Sequence, residues 1–294
     1  MVLGHFSIDQ NLMELTEHLT VLLPIACYET TINQNIQGHI PLHWHDELQF
    51  VYMNKGEAIF HINGEGVELL EGNGLFINSG LLHMAEEKTK AASYICMNVA
   101  PSFVLSQELF STFVYPYVQA SNLPYVNIDG NKEWGKIILE SILKINRLLK
   151  EKQPFFEIDI STQLAKAWKS FMMHGIPPAF NKTEASKNEK MKRMLDWIHH
   201  HYEEKVSLED IASAGQLSRS ECCRYFKRIL KRSPFSYLEH YRIQKSLLLL
   251  QEEDANITEV GYRVGFNSTS YFIQKFRKEI QMTPLAYKKH KQKS

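Results

Sequence analysis

ITEVGYRVGFNSTSYFIQKFRKEIQMTPLAYK, residues 257–288, repeats an earlier stretch of the same chain, LEDIASAGQLSRSECCRYFKRILKRSPFSYL, residues 208–238. Ile211 pairs with Val260 and Leu217 with Phe266 at an offset of 49, whereas Ser218, Phe226, Pro234 and Tyr237 pair with Ser268, Phe276, Pro284 and Tyr287 at an offset of 50. The second copy therefore has one more residue in its turn. Each copy predicts a short helix, a turn containing Gly215 or Gly265, and a second helix opened by a side-chain oxygen cap, which is a helix-turn-helix. The two units cover about 207–230 and 256–280. Ser218 and Glu221 have the spacing of a capping box, and Cys222, Phe226 and Ile229 form the stripe that the second helix buries. The opposite face carries Arg219, Ser220, Cys223, Arg224 and Lys227 in the first copy and Thr269, Ser270, Ile273, Gln274 and Arg277 in the second. Such a face suits a DNA major groove, where Arg pairs with guanine, Gln with adenine, and an apolar side chain touches a thymine methyl.

One helix-turn-helix would fit a plain helical interaction domain. Two copies joined by a helix over 236–250 fit two successive grooves on one face of DNA, roughly 34 Å apart. Charge points the same way. The 294 residues hold 33 basic and 33 acidic side chains, but residues 1–180 hold 11 and 19, a net of −8, and residues 181–294 hold 22 and 14, a net of +8. Only the second part, which closes on Lys288-Lys289-His290-Lys291, is built to meet a polyanion.

Ahead of it, from about 25 to 100, short alternating segments are separated by turns: Gln49–Tyr52, Ala58–Ile62 after Asn54-Lys55-Gly56, Val67–Leu70 after Asn63-Gly64-Glu65-Gly66, then Leu75–Asn78 and Tyr94–Val99. They predict a small antiparallel barrel or sandwich. Two amphipathic helices follow, over 133–152 and about 157–171. The wide apolar stripe of the first, from Trp134 to Leu149, suits either the core or a partner helix. Residues 175–188 stop the helix and turn polar, as a linker does. The expectation is a two-domain α+β chain: an antiparallel β-barrel with helices over 1–178, a linker over 179–187, and an all-α DNA-binding domain over 188–294. Cys27, Cys96, Cys222 and Cys223 form no Cys-x-x-Cys pair or zinc signature and read as packed thiols. No window approaches a membrane span and the first residues do not read as a signal peptide, so the expected location is cytoplasmic.

The residues of 187–290 resemble the AraC-type transcription regulators, densely in the second copy from Ile257 to Lys278 with Thr283-Pro284 and Tyr287, and at Arg242. Gly261, Gln274, Lys231 and Gln281 depart from the family pattern, the last two standing where Gly normally follows a recognition helix. The resemblance implies that the first half senses a small molecule and dimerises. Residues 38–87 are similar to a cupin barrel: Gly38, His43, Trp44 and His45 resemble one cupin motif, and Gly72, Asn78, Gly80 and His83 the other. In a metal cupin a Glu joins the histidines, but the matching position is Gln49, with Glu47 nearby but offset. His43, His45 and His83 alone make a three-imidazole set lacking its carboxylate, so no metal or other cofactor is expected. Instead His43, His45, Gln49 and His83 read as polar groups at the barrel mouth that bind an effector such as a sugar.

The resulting expectation is a sequence-specific DNA-binding regulator, an activator by family, with no catalytic residues. Its expected partners are promoter DNA, a small-molecule effector, a second copy of the chain and RNA polymerase. Two alternatives stay open: a cupin-type metalloenzyme carried by a DNA-localising domain, and a ligand-independent DNA-binding regulator.

Overall fold

Alternation and turn chemistry make the strands of the first half. The computed structural model describes residues 8–9, 12–14, 16, 18, 23–34, 38–174, 176–250 and 256–291, with backbone alone at 182–185 and 291. Its strands are β1 (Ile25–Thr31), β2 (His39–His43), β3 (Leu48–Lys55), β4 (Glu57–Ile62), β5 (Glu65–Leu70), β6 (Gly74–Ile77), β7 (His83–Glu87), β8 (Ser93–Val99) and β9 (Tyr125–Ile128). One sheet has the order β1-β8-β3-β6-β9 and the other β2-β7-β4-β5, with every pairing antiparallel. In β4 the buried residues are Ala58, Phe60 and Ile62 and the alternate ones face outward, so the strand has one wet face. β3 lies between β8 and β6 and buries Leu48 to Val51 continuously. Asn63 and Gly64, at φ 48° and 84°, turn β4 into β5. Two successive left-handed residues match the right-handed twist of a hairpin, which is why Asn-Gly sits there.

After β8 come α1 (Gln107–Phe113), α2 (Tyr115–Val118), the returning strand β9, then α3 (Glu133–Glu151) and α4 (Phe156–Met173). The stripe of α3 that suited either the core or a partner is covered inside the chain. Ile138, Ile142 and Ile145 are fully buried in one cluster with Ile160, Leu164, Trp168 and Phe171 of α4 and with Leu48, Phe50 and Phe76 of the sheet. Each such side chain contributes about 1.5–3 kcal/mol by leaving water. Trp168 also donates its indole N–H to the Phe113 carbonyl at 2.9 Å, so its one polar atom is satisfied in the core.

The chain divides into two compact units between Asn188 and Glu189. A helix, α5 (Lys182–His201), starts inside the stretch that reads as a linker. Lys, Glu and Ala there are good helix formers, so a polar segment without an apolar stripe still winds. The second unit continues as α6 (Leu208–Ala214), α7 (Arg219–Leu230), α8 (Pro234–Leu249), α9 (Ile257–Arg263), α10 (Thr269–Ile280) and α11 (Pro284–Lys291). No helix among the described residues is long and apolar enough to cross a membrane. The fold is thus mixed α+β, with antiparallel sheets first and a helical domain after them.

Candidate nucleic-acid interface and buried histidine cluster

The two helix pairs α6/α7 and α9/α10 start at the side-chain caps read in the sequence. Ser207 and Ser218 each form a full capping box, with Asp210 and Glu221. Accepting hydrogen bonds from those serines holds both carboxyls below their ordinary range. Asn256 and Ser268 cap α9 and α10 by one bond each, to the backbone N–H of Thr258 and Tyr271. Cys222, Phe226 and Ile229 of α7 and Phe272 and Phe276 of α10 are buried.

With those faces turned inward, helical geometry turns the other faces out. Arg219, Ser220, Arg224 and Lys227 are exposed and Cys223 is half-buried; Ser270, Gln274 and Arg277 are exposed while Thr269 and Ile273 are half-buried. The ten positions correspond one to one at an offset of 50. Arg219 is already engaged by Glu209, 3.3 Å from its Nε. The side chain of Lys291 lies outside the described residues.

The turns hold a difference that the sequence hid. Gly215 and Gly265 do not occupy equivalent places: Gly215 ends α6 at φ −85°, where the second copy has Val264 at φ −89°. The left-handed position belongs to Gln216 in the first copy, at φ 53°, and to Gly265 in the second, at φ 88°. Gly215 is required by crowding instead, because a Cβ there would lie 2.8 Å from the Met194 side chain of α5. The extra residue of the second turn is Asn267. Across that turn, Arg242 of α8 donates to the carbonyls of Tyr202 and Glu204 at 2.7 and 2.8 Å, and its guanidinium lies over the Phe266 ring.

The histidines of the first half do converge. His43 and His45 are two residues apart and therefore point the same way, and His43 pairs across the ladder with His83, the first residue of β7. The His43 and His83 rings are 4.1 Å apart, those of His45 and His83 5.0 Å. Each ring is oriented by a backbone carbonyl: His43 Nδ1 donates to Pro41 at 2.8 Å, His45 Nδ1 to Glu47 at 3.1 Å and His83 Nδ1 to Leu81 at 2.8 Å. The Nε2 atoms are left to face one another, and one ligand atom from each residue lies within 4.8 Å of the others.

Sequence reasoning missed the fourth member. Glu14 lies with its carboxylate 3.5 Å from His43 Nε2 and 4.0 Å from His45 Nε2. Its segment is bound to the residue between the two histidines: Glu14 N–H donates to the Trp44 carbonyl and Trp44 N–H to the Leu12 carbonyl, both at 2.8 Å. This covering segment is also why the cluster is not an open mouth. His43, His45 and His83 are 2%, 1% and 2% exposed. Glu47, the nearer carboxylate in sequence, contacts His18 at 2.8 Å and stands on the Nδ1 side of His45.

Burial sets the electrostatics. It pushes the Glu14 carboxyl up to about 7, aided by the charge of Glu47 and opposed by hydrogen bonds from Asn98. Burial likewise lowers the His83 imidazole to about 4 and, with the neighbouring His83 and His45, holds His43 well below its ordinary value. The His43 and His83 imidazoles are thus held in their neutral, ligand-competent form. Gln49 has its own hydrogen-bond partner. It is buried, its amide donates to Cys96 Sγ at 2.9 Å, Cys96 continues to Asn98, and Asn98 reaches both Glu14 oxygens at 3.3 Å. Among the described residues this relay of hydrogen bonds links Gln49 to Glu14.

A helix-turn-helix domain model matches residues 211–290, and an AraC-like ligand binding domain model matches residues 27–119. The chain is 60% identical over 286 residues to an uncharacterized HTH-type transcriptional regulator, YdeC of Bacillus subtilis (strain 168), covering 97% of this chain and 98% of that one. It is 24% identical over 253 residues to the HTH-type transcriptional activator RhaS of Enterobacter sp. (strain 638), covering 84% and 87%. Among solved structures, an AraC-type DNA-binding transcriptional regulator from Chromobacterium violaceum is 27% identical, covers 36% of this chain and 96% of its own, and superposes with a TM-score of 0.35.

Proposed function

The chain belongs to the AraC family of HTH-type transcriptional regulators, and on that premise we propose that it activates transcription by inserting α7 and α10 into successive major grooves of a promoter. The carrying observation is the pair of equivalent outward faces. Arg224 and Lys227 answer to Gln274 and Arg277 on two helices whose opposite sides are locked into one helical unit. Arg224 and Gln274 supply bidentate readout of guanine and adenine, Cys223 and Ile273 apolar contact, and Arg219, Ser220, Thr269 and Ser270 the contacts near each helix start. Activation, with RNA polymerase as the further contact, is supported by the relative named as an activator.

The barrel is the sensing half. Its effector is a small polar species: a sugar, the class first expected at His43, His45, Gln49 and His83, would need hydroxyl donors and acceptors in the lining, whereas the buried imidazoles offer acceptors. Binding regulates only if it favours one arrangement of the DNA-binding units over another. A homodimer is the assembly that the family supports, with a face other than the covered stripe of α3. No step of this reading calls for catalysis, and a promoter-binding protein of this family works in the cytoplasm.

Selection of random DNA by the full-length protein at physiological salt tests the proposal. The expected result is a motif of two blocks about 10–10.5 base pairs apart, centre to centre. Enrichment without a motif would reduce the second unit to a backbone binder and overturn the reading.

A further inference from the structure

We propose that His43, His45 and His83, through Nε2, and Glu14, through its carboxylate, form a four-ligand site for one divalent transition-metal ion of the zinc, cobalt or nickel class. The inference deepens the sensing role given to the barrel, since it names the ligand class of that cluster.

The argument begins with donors and acceptors. All three Nδ1–H groups are spent on backbone carbonyls, so each neutral ring turns a lone pair toward the centre, and Glu14 adds carboxylate oxygens. A sugar hydroxyl both donates and accepts, and it needs a mixed lining. A lining of acceptors alone suits a cation. His83 Nε2, fully buried, has no hydrogen-bond partner among the described residues, at the cost that an unmet buried polar atom carries.

Geometry agrees. A metal–nitrogen bond of about 2.0–2.1 Å puts tetrahedral ligands roughly 3.3 Å apart. Contraction from a widest separation of 4.8 Å asks each ring to move by roughly an ångström or less. Imidazole nitrogens with one carboxylate suit the zinc, cobalt and nickel class better than magnesium or calcium, which prefer oxygen. The carbonyls that hold each Nδ1 are the outer shell that such sites use to aim their histidines, and Asn98 does the same for Glu14.

The carboxylate comes from outside the barrel strands, which gives the site a consequence. Because Glu14 is hydrogen-bonded through its backbone to Trp44, an ion held by all four groups fastens the 12–14 segment across β2. Four protein ligands in a dry site leave no open position, so the ion is a structural or sensed species and not a catalytic one.

The test uses full-length protein stripped with a chelator and titrated with Co(II) and then Zn(II). One ion per chain is expected, with the intense visible ligand-field bands of four-coordinate Co(II), and with slowed amide exchange over residues 12–14 in the loaded form. Glu14→Gln should weaken binding by at least about 10-fold, more than Glu47→Gln does, and His83→Ala should remove the bands. Should His83→Ala fail to fold, the Glu14→Gln pair and the Co(II) spectrum still decide. Absence of stoichiometric binding overturns the proposal, as does binding that survives both substitutions, which would place the ion on other histidines such as those of 199–201. Metal binding without a selected DNA motif would remove the DNA reading and leave the site standing.

Discussion

The two helix-turn-helix copies reach the same shape by different interiors. Position 212 is Ala and its partner position 222 is Cys; the equivalents in the second copy are Gly261 and Phe272, and all four are buried. A methyl group lost on the first helix accompanies a large ring gained on the second. A Cβ on Gly261 would lie 3.0 Å from that ring, closer than side chains normally pack. The first copy fastens both its helices with capping boxes, whereas the second uses single caps and a chain of aromatics: Phe266 to Phe272 at 5.3 Å, Phe272 to Phe276 at 5.7 Å and Phe276 to Tyr287 at 5.8 Å. Only the last contact has a counterpart, Phe226 to Tyr237 at 6.0 Å. What the copies share is the pattern of burial and cap, so that pattern specifies the motif, and the residues filling it are free to exchange volume.

The largest effect should come from breaking that exchange. Phe272→Ala is expected to cost about 3–5 kcal/mol of unfolding free energy, because it opens a ring-sized cavity beside a position that has no side chain to relax into it. Cys222→Ala removes one sulfur and should cost roughly 1 kcal/mol. Denaturant unfolding of both variants checks this, and equal losses would show that the interiors are not divided in the way their volumes suggest.

The outward faces differ in a second way. Glu239 of α8 draws Lys275 and Tyr271 of α10 into contacts, with Lys275 Nζ 2.6 Å from its carboxylate, while the position equivalent to Lys275 in α7 is Tyr225. At the preceding position, proposed to read a base, the first copy carries Arg224 and the second Gln274. Arg224→Ala and Gln274→Ala should each lose about 1–3 kcal/mol on the selected site, roughly 5- to 150-fold in affinity, with specificity relaxed only in the block its own helix reads. Arg224→Gln sharpens the point by moving the preference at one base from guanine toward adenine. Competition binding with single-base variants of the site would refute the assignment if one substitution disturbed both blocks.

This contrast also explains what was legible beforehand. Helices α6, α7, α9 and α10 follow from apolar spacing and side-chain caps, which are local signals, and their pattern occurs twice, whereas the first turns of α5 lie in the stretch that reads as a linker. Strands β3 to β6 and β8 were readable for the same reason, from Asn63-Gly64 and the alternation of β4, whereas β1, β2, β7 and β9 were not named from the sequence. Gln216 gave no sign of its left-handed backbone, because glutamine has no preference for that conformation and the nearby Gly215 drew attention to itself. Glu14 was illegible for another cause. It lies 29 positions before His43 in a segment with no alternation, and it reaches the cluster through backbone bonds to Trp44. A metal cupin carries its carboxylate near the position of His45, whereas here the carboxylate beside His43 and His45 comes from a part of the chain that the motif does not contain.

The smallest effect concerns the ends of the recognition helices. Lys231 closes α7 at φ 55° and Gln281 closes α10 at φ 61°, both in the left-handed region that favours glycine. Relieving an L side chain there gains about 1–2 kcal/mol, and the extra freedom of glycine in the unfolded chain takes back about 0.5–1. Lys231→Gly should therefore stabilise the protein by roughly 0.5–1 kcal/mol. Gln281→Gly should gain less, because the Gln281 side chain donates to the Lys278 carbonyl at 2.8 Å and that bond would be lost. The comparison is read from thermal unfolding of the two variants side by side, where 1 kcal/mol moves the midpoint by roughly 2–4 °C. A larger gain at 281 than at 231 would mean that the side-chain bond contributes nothing. The two copies would then differ at their helix ends only in name.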